Sequence, residues 1–245
     1  MNTYHLQGTI HPRRAQIQDH AFRAKFKHVS TGNTAAVRIR ILVNELLGWV
    51  ETPDTWDIFD LRNVIRFLTQ TDLALVGFLT GHAYTVEIIR VTCETLGIDV
   101  VYGVDIACVA SRNKDVPFPS AITKLRQLCV GENGAYIQRC MNDLLLAMQQ
   151  PEDTAFFCYR AIESLKNHAV KSLPDTPQNP ARRWDSFRGA ADCTREEIDS
   201  IKRHADHQRH AADLLTTQED RALLLSQTWK IVESYIKSLA DLRSP

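Results

Sequence analysis

The chain opens on strict alternation. Tyr4, Leu6, Gly8 and Ile10 interleave with Thr3, His5, Gln7 and Thr9, and a period of two predicts a strand. Phe22, Ala24 and Phe26 alternate with Arg23, Lys25 and Lys27, and Val37, Ile39, Ile41 and Val43 enclose Arg38 and Arg40. The turn signal Ser30-Thr31-Gly32-Asn33 stands between these two runs, so 22–43 reads as a hairpin. From Asp57 to Gln70 the period changes. Ile58, Leu61, Ile65 and Leu68 lie three or four apart, which predicts a helix. Leu73–Leu79, Ala83–Val91 and Ile98–Val104 read as further strands, the first two split by Thr80-Gly81-His82.

The polar run 111–120, with Pro117 and Pro119, interrupts both periods and reads as a linker. Beyond it the spacing is helical. Tyr136, Ile137, Met141, Leu144, Leu145 and Met148 form one apolar stripe. Pro151 marks a helix start, and Ala155, Cys158, Tyr159, Ile162, Leu165 and Ala169 form a second stripe, with Arg160, Glu163 and Asn167 on the other side. Ser172–Arg183, holding Pro174, Pro177 and Pro180, reads as a loop, after which Trp184 and Phe187 anchor the chain in the core. Thr194-x-x-Glu197 and Thr216-x-x-Glu219 are capping-box patterns that open two more helices. The last carries Leu225, Val232, Tyr235, Ile236, Leu239 and Leu242 on one stripe. These patterns predict an α+β chain: a strand-rich α+β domain over 1–116, then an antiparallel four- to five-helix bundle over 117–245.

Composition narrows the class. The chain has 245 residues, 44% apolar and 24% charged with zero formal net charge, which is ordinary for one large or two small globular domains. No apolar run reaches the roughly 18–20 residues of a membrane helix, and no basic-then-apolar leader follows Met1. The six cysteines include no Cys-x-x-Cys clip, and several lie in apolar patterns, so a reducing, cytoplasmic setting is expected. One region departs from the neutral balance. Residues 1–50 hold Arg13, Arg14, Arg23, Lys25, Lys27, Arg38 and Arg40 against Asp19 and Glu45. That excess could attract phosphates, although an ordinary solvated sheet face accounts for it as well. The N-terminal domain has no glycine-rich phosphate loop and no serine nucleophile elbow. His82 sits at a turn with no second candidate ligand near it in sequence. A sensing or substrate-recruiting role is expected for this domain, with the basic hairpin as its surface.

The candidate chemistry is concentrated in Arg203-His204-Ala205-Asp206-His207-Gln208-Arg209-His210, which holds three of the nine histidines. At about 100° per residue, Asp206, His207 and His210 fall within roughly 60° of Arg203 on a helix. Ile198, Ile201, Ala205 and Ala212 occupy the opposite face. An imidazole titrates near neutrality, so it can take a proton from a ribose 2′-hydroxyl and return one to the leaving oxygen. A guanidinium can hold the phosphate and offset its charge. A metal-independent ribonuclease needs only those two groups about one phosphate apart, and no cofactor or metal is assigned. Three other readings stay open. The face could bind nucleotides or a partner without cutting. Asp206, His207 and His210 could ligate a metal with Glu163 or His168. Or the face is simply solvated.

On these residues the C-terminal half, about residues 120–243, resembles a HEPN (higher eukaryotes and prokaryotes nucleotide-binding) domain. That family is a bundle of four or five helices whose signature is Arg, then four to six residues, then His, with a polar residue often directly after the Arg. Arg203-His204 followed by five residues and His210 matches it. Tyr159-Arg160-Ala161-Ile162-Glu163 and the stretch Trp229–Leu239 are also similar to members. The resemblance implies a homodimer whose motif helices face each other across a shared cleft. It implies RNA as substrate, cleaved by 2′-hydroxyl attack without metal, and a toxin or antiviral effector, which can carry an antitoxin or regulatory partner. Arg203 and His210 would be the catalytic pair and His204 the polar position, with Asp206, His207, Arg209, Arg160 and Glu163 in support. Glu163 would match the acidic position of an earlier helix. Arg209-His210 is followed by Ala211 where members often have Gly. That leaves Arg203 or Arg209 open as the functional arginine, Arg209 lying about 100° from His210.

Overall fold

The computed structural model describes residues 1–28, 31–103, 106–113, 117–172, 179–209 and 217–241. They belong to two compact units, one within residues 1–104 and one within 105–245. The chain is α+β, with an antiparallel sheet in the first unit and helices in the second.

In the first unit the strands are β1 (Asn2–His11), β2 (Asp19–Lys27), β3 (Thr34–Leu42), β4 (Glu45–Thr52), β5 (Thr85–Cys93) and β6 (Ile98–Val101). They form one sheet in the order β2-β3-β4-β1-β5-β6, with every neighbour antiparallel. Alternation decides which side is covered. Tyr4, Leu6, Val37, Ile39, Ile41, Leu46 and Val50 are buried, and the residues between them face outward. The helix α1 (Ile58–Thr80) adds Leu61, Val64, Ile65 and Leu73 to the buried set and packs against β5. Asp57 starts it, its carboxylate accepting from Phe59 N at 2.9 Å and Asp60 N at 3.0 Å. Gly81, at φ 72°, ends it in the left-handed region. Tyr4 Oη accepts from Trp56 N at 3.1 Å just before that helix, and Tyr102 Oη, one residue beyond β6, donates to Ile58 O at 2.6 Å in its first turn, so β1 and the end of β6 are tied to the region where the helix starts. Gly8 marks a close approach: a Cβ there would stand 2.3 Å from Glu87 O, where the β1–β5 register shifts.

Two elements differ from the sequence pattern. Leu73–Leu79, expected as a strand, is the last part of α1. Nearly every residue there is apolar, so the run fits either period. A helix already nucleated at Asp57 gains one backbone hydrogen bond per added residue; it runs through Gly77 and stops at Gly81, which takes the left-handed conformation. The strand β4 was not anticipated. Gly48 falls among its buried positions, and Leu47 and Trp49 stand on its outer side, which masks the alternation.

The second unit contains α2 (Ala107–Ala110), α3 (Phe118–Leu128), α4 (Gly134–Gln149), α5 (Thr154–Lys171), α6 (Pro180–Ala191), α7 (Arg195–Arg209) and α8 (Gln218–Asp241). The anticipated stripes are α4, α5, α7 and α8. Only the last residues of the segments expected as linker and loop begin helices, because Pro119 and Pro180 take first-turn positions where no amide is needed; 114–116 and 173–178 lie outside the described residues. Val109 of α2 belongs to the same buried cluster as the longer helices. The last helix is capped by Thr217, whose Oγ1 accepts from Asp220 N at 3.1 Å, one residue beyond the expected Thr216–Glu219 pattern; Thr216 lies outside the described residues.

α5 is the central helix, packed against α4, α6, α7 and α8. Its Ala155, Cys158, Ile162 and Leu165 are fully buried. Polar side chains set the directions. Arg221, 1% exposed, donates from Nε to Thr154 Oγ1 at 3.0 Å, and its Nη2 reaches the carbonyls of Ala147 and Met148 at the end of α4. A cation is thereby held on a helix C-terminus. Further along, Tyr235 Oη and His168 Nδ1 share a buried hydrogen bond at 2.7 Å. Start meets start and end meets end, so α5 and α8 run parallel. Gln208 Oε1, near the end of α7, accepts from Phe156 N in the first turn of α5 at 2.9 Å, so α7 runs antiparallel to α5.

Candidate active site

The site is built on α7. Its start is fixed by the reciprocal cap that the sequence anticipated: Thr194 N donates to Glu197 Oε2 at 2.8 Å, and Glu197 N donates to Thr194 Oγ1 at 3.2 Å. The other oxygen of Glu197 accepts from Lys230 Nζ of α8 at 2.8 Å. The Lys230 bond first, and then the Thr194 amide, hold the Glu197 carboxyl below the usual carboxylate range. Glu197 holds Lys230 above the usual ammonium range in return.

From that start the 3.6-residue period does the placing. Ile198, Ile201 and Ala205 are buried against the core, as their side of the wheel predicts. Lys202, Arg203, His204 and His207 are exposed and Asp206 is half-buried. His204 Nδ1 donates to Ser200 O at 2.9 Å, which leaves its Nε2 for anything outside the helix. Arg203, His204, Asp206 and His207 therefore share the solvent side of one helix. Arg209 ends α7 and its side chain is not described; His210 lies outside the described residues, so the Arg203–His210 geometry does too.

Arg160 and Glu163 stand on α5, both half-buried. Arg160 is engaged inside its own unit. Its Nε donates to Asp143 Oδ1 at 3.0 Å, and its Nη2 bonds the same oxygen. Its guanidinium carbon lies 5.3 and 5.0 Å from the rings of Phe156 and Phe157. The Asp143 bond raises the Arg160 guanidinium further. Asp143 is 1% exposed, and its Oδ2 has no hydrogen-bond partner among the described residues. Arg160 thus supplies the opposing charge for a buried carboxylate. The α7 helix approaches this region through Gln208, which bonds the amide of Phe156, one turn before Arg160.

Sequence reasoning missed Asp143, Gln208 and Arg221. Two carry a signal of charge inside an apolar stripe. Asp143 falls with Cys140, Leu144 and Ala147 at i, i+3, i+4 and i+7, and Arg221 falls likewise with Leu224, Leu225 and Thr228. Gln208 carries none, since its partner is the backbone of another helix. His168, considered as a ligand, is 4% exposed and bonded to Tyr235. Among the described residues no group of three or more His, Cys, Asp or Glu side chains could hold a metal ion. No helix among them is long and apolar enough to cross a membrane.

Comparison with protein families matches both units. Residues 4–102 match the domain of unknown function (DUF8168) N-terminal domain, and residues 122–240 match the DUF8168 C-terminal domain. This chain belongs to the DUF8168 family. The two DUF8168 domains leave out only the chain ends and the segment 103–121, which contains α2 and the first residues of α3. No curated protein and no solved structure matches the chain.

Proposed function

We propose that the helical unit is a HEPN-like bundle and that this DUF8168 chain is a metal-independent endoribonuclease working through the outer side of α7. The observation that carries the reading is the burial of Ile198, Ile201 and Ala205, which turns Arg203, His204 and His207 to solvent on a firmly capped helix. Arg203 holds the scissile phosphate. His210 takes the proton of the adjacent 2′-hydroxyl, whose oxygen attacks phosphorus, and a proton returned to the 5′-oxygen lets that oxygen leave. His204 supplies a second polar contact, and two copies of α7 face each other in a homodimer. A cell would keep such an activity in check through a regulatory partner or antitoxin.

The products distinguish this chemistry. Purified protein incubated with single-stranded RNA in excess EDTA should release fragments ending in a 2′,3′-cyclic phosphate, each opposite a new 5′-hydroxyl. Fragments with 5′-phosphates, or cleavage abolished by EDTA, contradict the mechanism. RNA that is left intact but bound, with the binding weakened in Arg203→Ala, makes the same α7 face a non-catalytic binding surface.

A further inference from the structure

The uncovered side of the sheet carries chemistry that the α7 reading does not use. Strand register sets Arg23 of β2 opposite Arg38 of β3, and Arg38 opposite Trp49 of β4. One row along, Arg40 stands beside Leu47; one row the other way, Lys25, Ala36 and Glu51 line up. All lie on the side opposite the buried Val37, Ile39 and Val50. Arg23, Lys25, Arg38 and Arg40 are exposed and Trp49 is half-buried. Adjoining depressions along this side are lined by Arg23, Lys25, Arg38, Arg40, Trp49 and Glu51.

Two features ask for a ligand. Like charges directly opposite across a ladder destabilise a sheet, yet Arg23 and Arg38 are such a pair. An anion between them removes the penalty. And the Arg38 guanidinium carbon lies 4.6 Å from the centroid of the Trp49 ring, so an aromatic face and a planar cation form one stacked unit in the middle of the basic patch. The carboxylates nearby are Glu51 and Asp19, the latter bonded to Arg40 at 3.0 and 3.1 Å. Cations remain in excess.

We infer that this face binds single-stranded nucleic acid, with phosphates on Arg23 and Lys25 and a base stacked on the Arg38–Trp49 pair. A single strand uses both features, because it presents phosphates and unpaired base faces together. A duplex hides its base faces. An acidic peptide gives the indole nothing to stack on, and a second copy of the chain would set basic patch against basic patch.

The claim does not rest on the nuclease reading, and the probe can keep the two apart. Oligothymidylate has no 2′-hydroxyl, so it is not cleaved by the proposed chemistry. The full chain is titrated at low salt with fluorescein-labelled oligothymidylate and 2′-O-methyl oligouridylate of about 12 nucleotides, neither of which has a 2′-hydroxyl to attack, and with a DNA duplex of the same length, following anisotropy. Both single strands should bind more tightly than the duplex, with affinity falling steeply as salt rises. Arg23→Glu with Arg38→Glu should weaken binding by tenfold or more, on the order expected for lost phosphate contacts. Trp49→Ala should weaken it by about tenfold and Trp49→Phe should restore most of the loss, since stacking needs a ring rather than an indole. Absence of binding at low salt, a duplex bound as tightly as the single strands, or unchanged affinity in a normally melting Arg23→Glu/Arg38→Glu variant would each overturn the inference. So would a change in solution mass in that variant with no change in affinity, which would mark the face as a contact between copies.

Discussion

Asp143 places a carboxylate inside the core of the helical unit. Its carboxylate is buried, and Arg160 supplies both described hydrogen bonds to it. Breaking a buried ion pair from one side costs roughly 3–5 kcal/mol. Arg160 is 34% exposed at its side chain, so water can partly replace it, and Arg160→Ala should cost about 2–3 kcal/mol in urea unfolding. Adding Asp143→Leu should recover most of that loss, because an apolar side chain of similar size removes the stranded charge. A single variant within about 0.5 kcal/mol of wild type would show that the pair contributes little to the fold. Asp143 was missed, although charge inside an apolar stripe is a signal that could have found it, since the i, i+3, i+4, i+7 pattern names the core positions. Arg160 was readable as a polar-face residue, but its partner lies on another helix, and spacing along one chain segment says nothing of that.

At the scale of the element, α7 is set by its first turn. Glu197 closes the cap and reaches Lys230, and its carboxyl is held below its ordinary value by those bonds. A carboxyl depressed in the folded state contributes stability that is present above its unfolded value and lost as pH falls through the folded one. Glu197→Ala should therefore destabilise the protein at neutral pH by about 1 kcal/mol, the usual worth of a cap. The difference from wild type should shrink as pH falls below the ordinary carboxylate range. Thermal melts of both proteins across that range check it, and a difference that grows toward acid pH contradicts the assignment. The cap was legible because Thr194 and Glu197 act within four residues. The end of α1 was not, since Leu73–Leu79 satisfies two periods and it is continuity with the helix begun at Asp57 that decides between them. The helix α6 was hidden for the opposite reason: Pro180 reads as a breaker until it is placed in a first turn.

At the scale of the whole molecule, zero net charge conceals an uneven distribution. The outer side of the sheet is basic while the chain as a whole is neutral. Alternation in the sequence already put Arg23, Lys25, Arg38 and Arg40 on one side of a hairpin. The addition of Trp49 to that group required strand pairing, which no local pattern contains. The catalytic account makes its own demand at this scale. A shared cleft needs two chains, so sedimentation at micromolar concentration should give twice the chain mass of 27.8 kDa. A strict monomer under those conditions contradicts the composite site.

The most direct test of the central claim is the rate of RNA cleavage in EDTA by wild type, His210→Ala and Arg203→Ala, each shown to melt normally. The account predicts that wild type cleaves and that loss of either side chain slows cleavage by about 10²–10⁴-fold, the usual worth of a positioned acid–base or phosphate-holding group. Equal cleavage by all three proteins would contradict it.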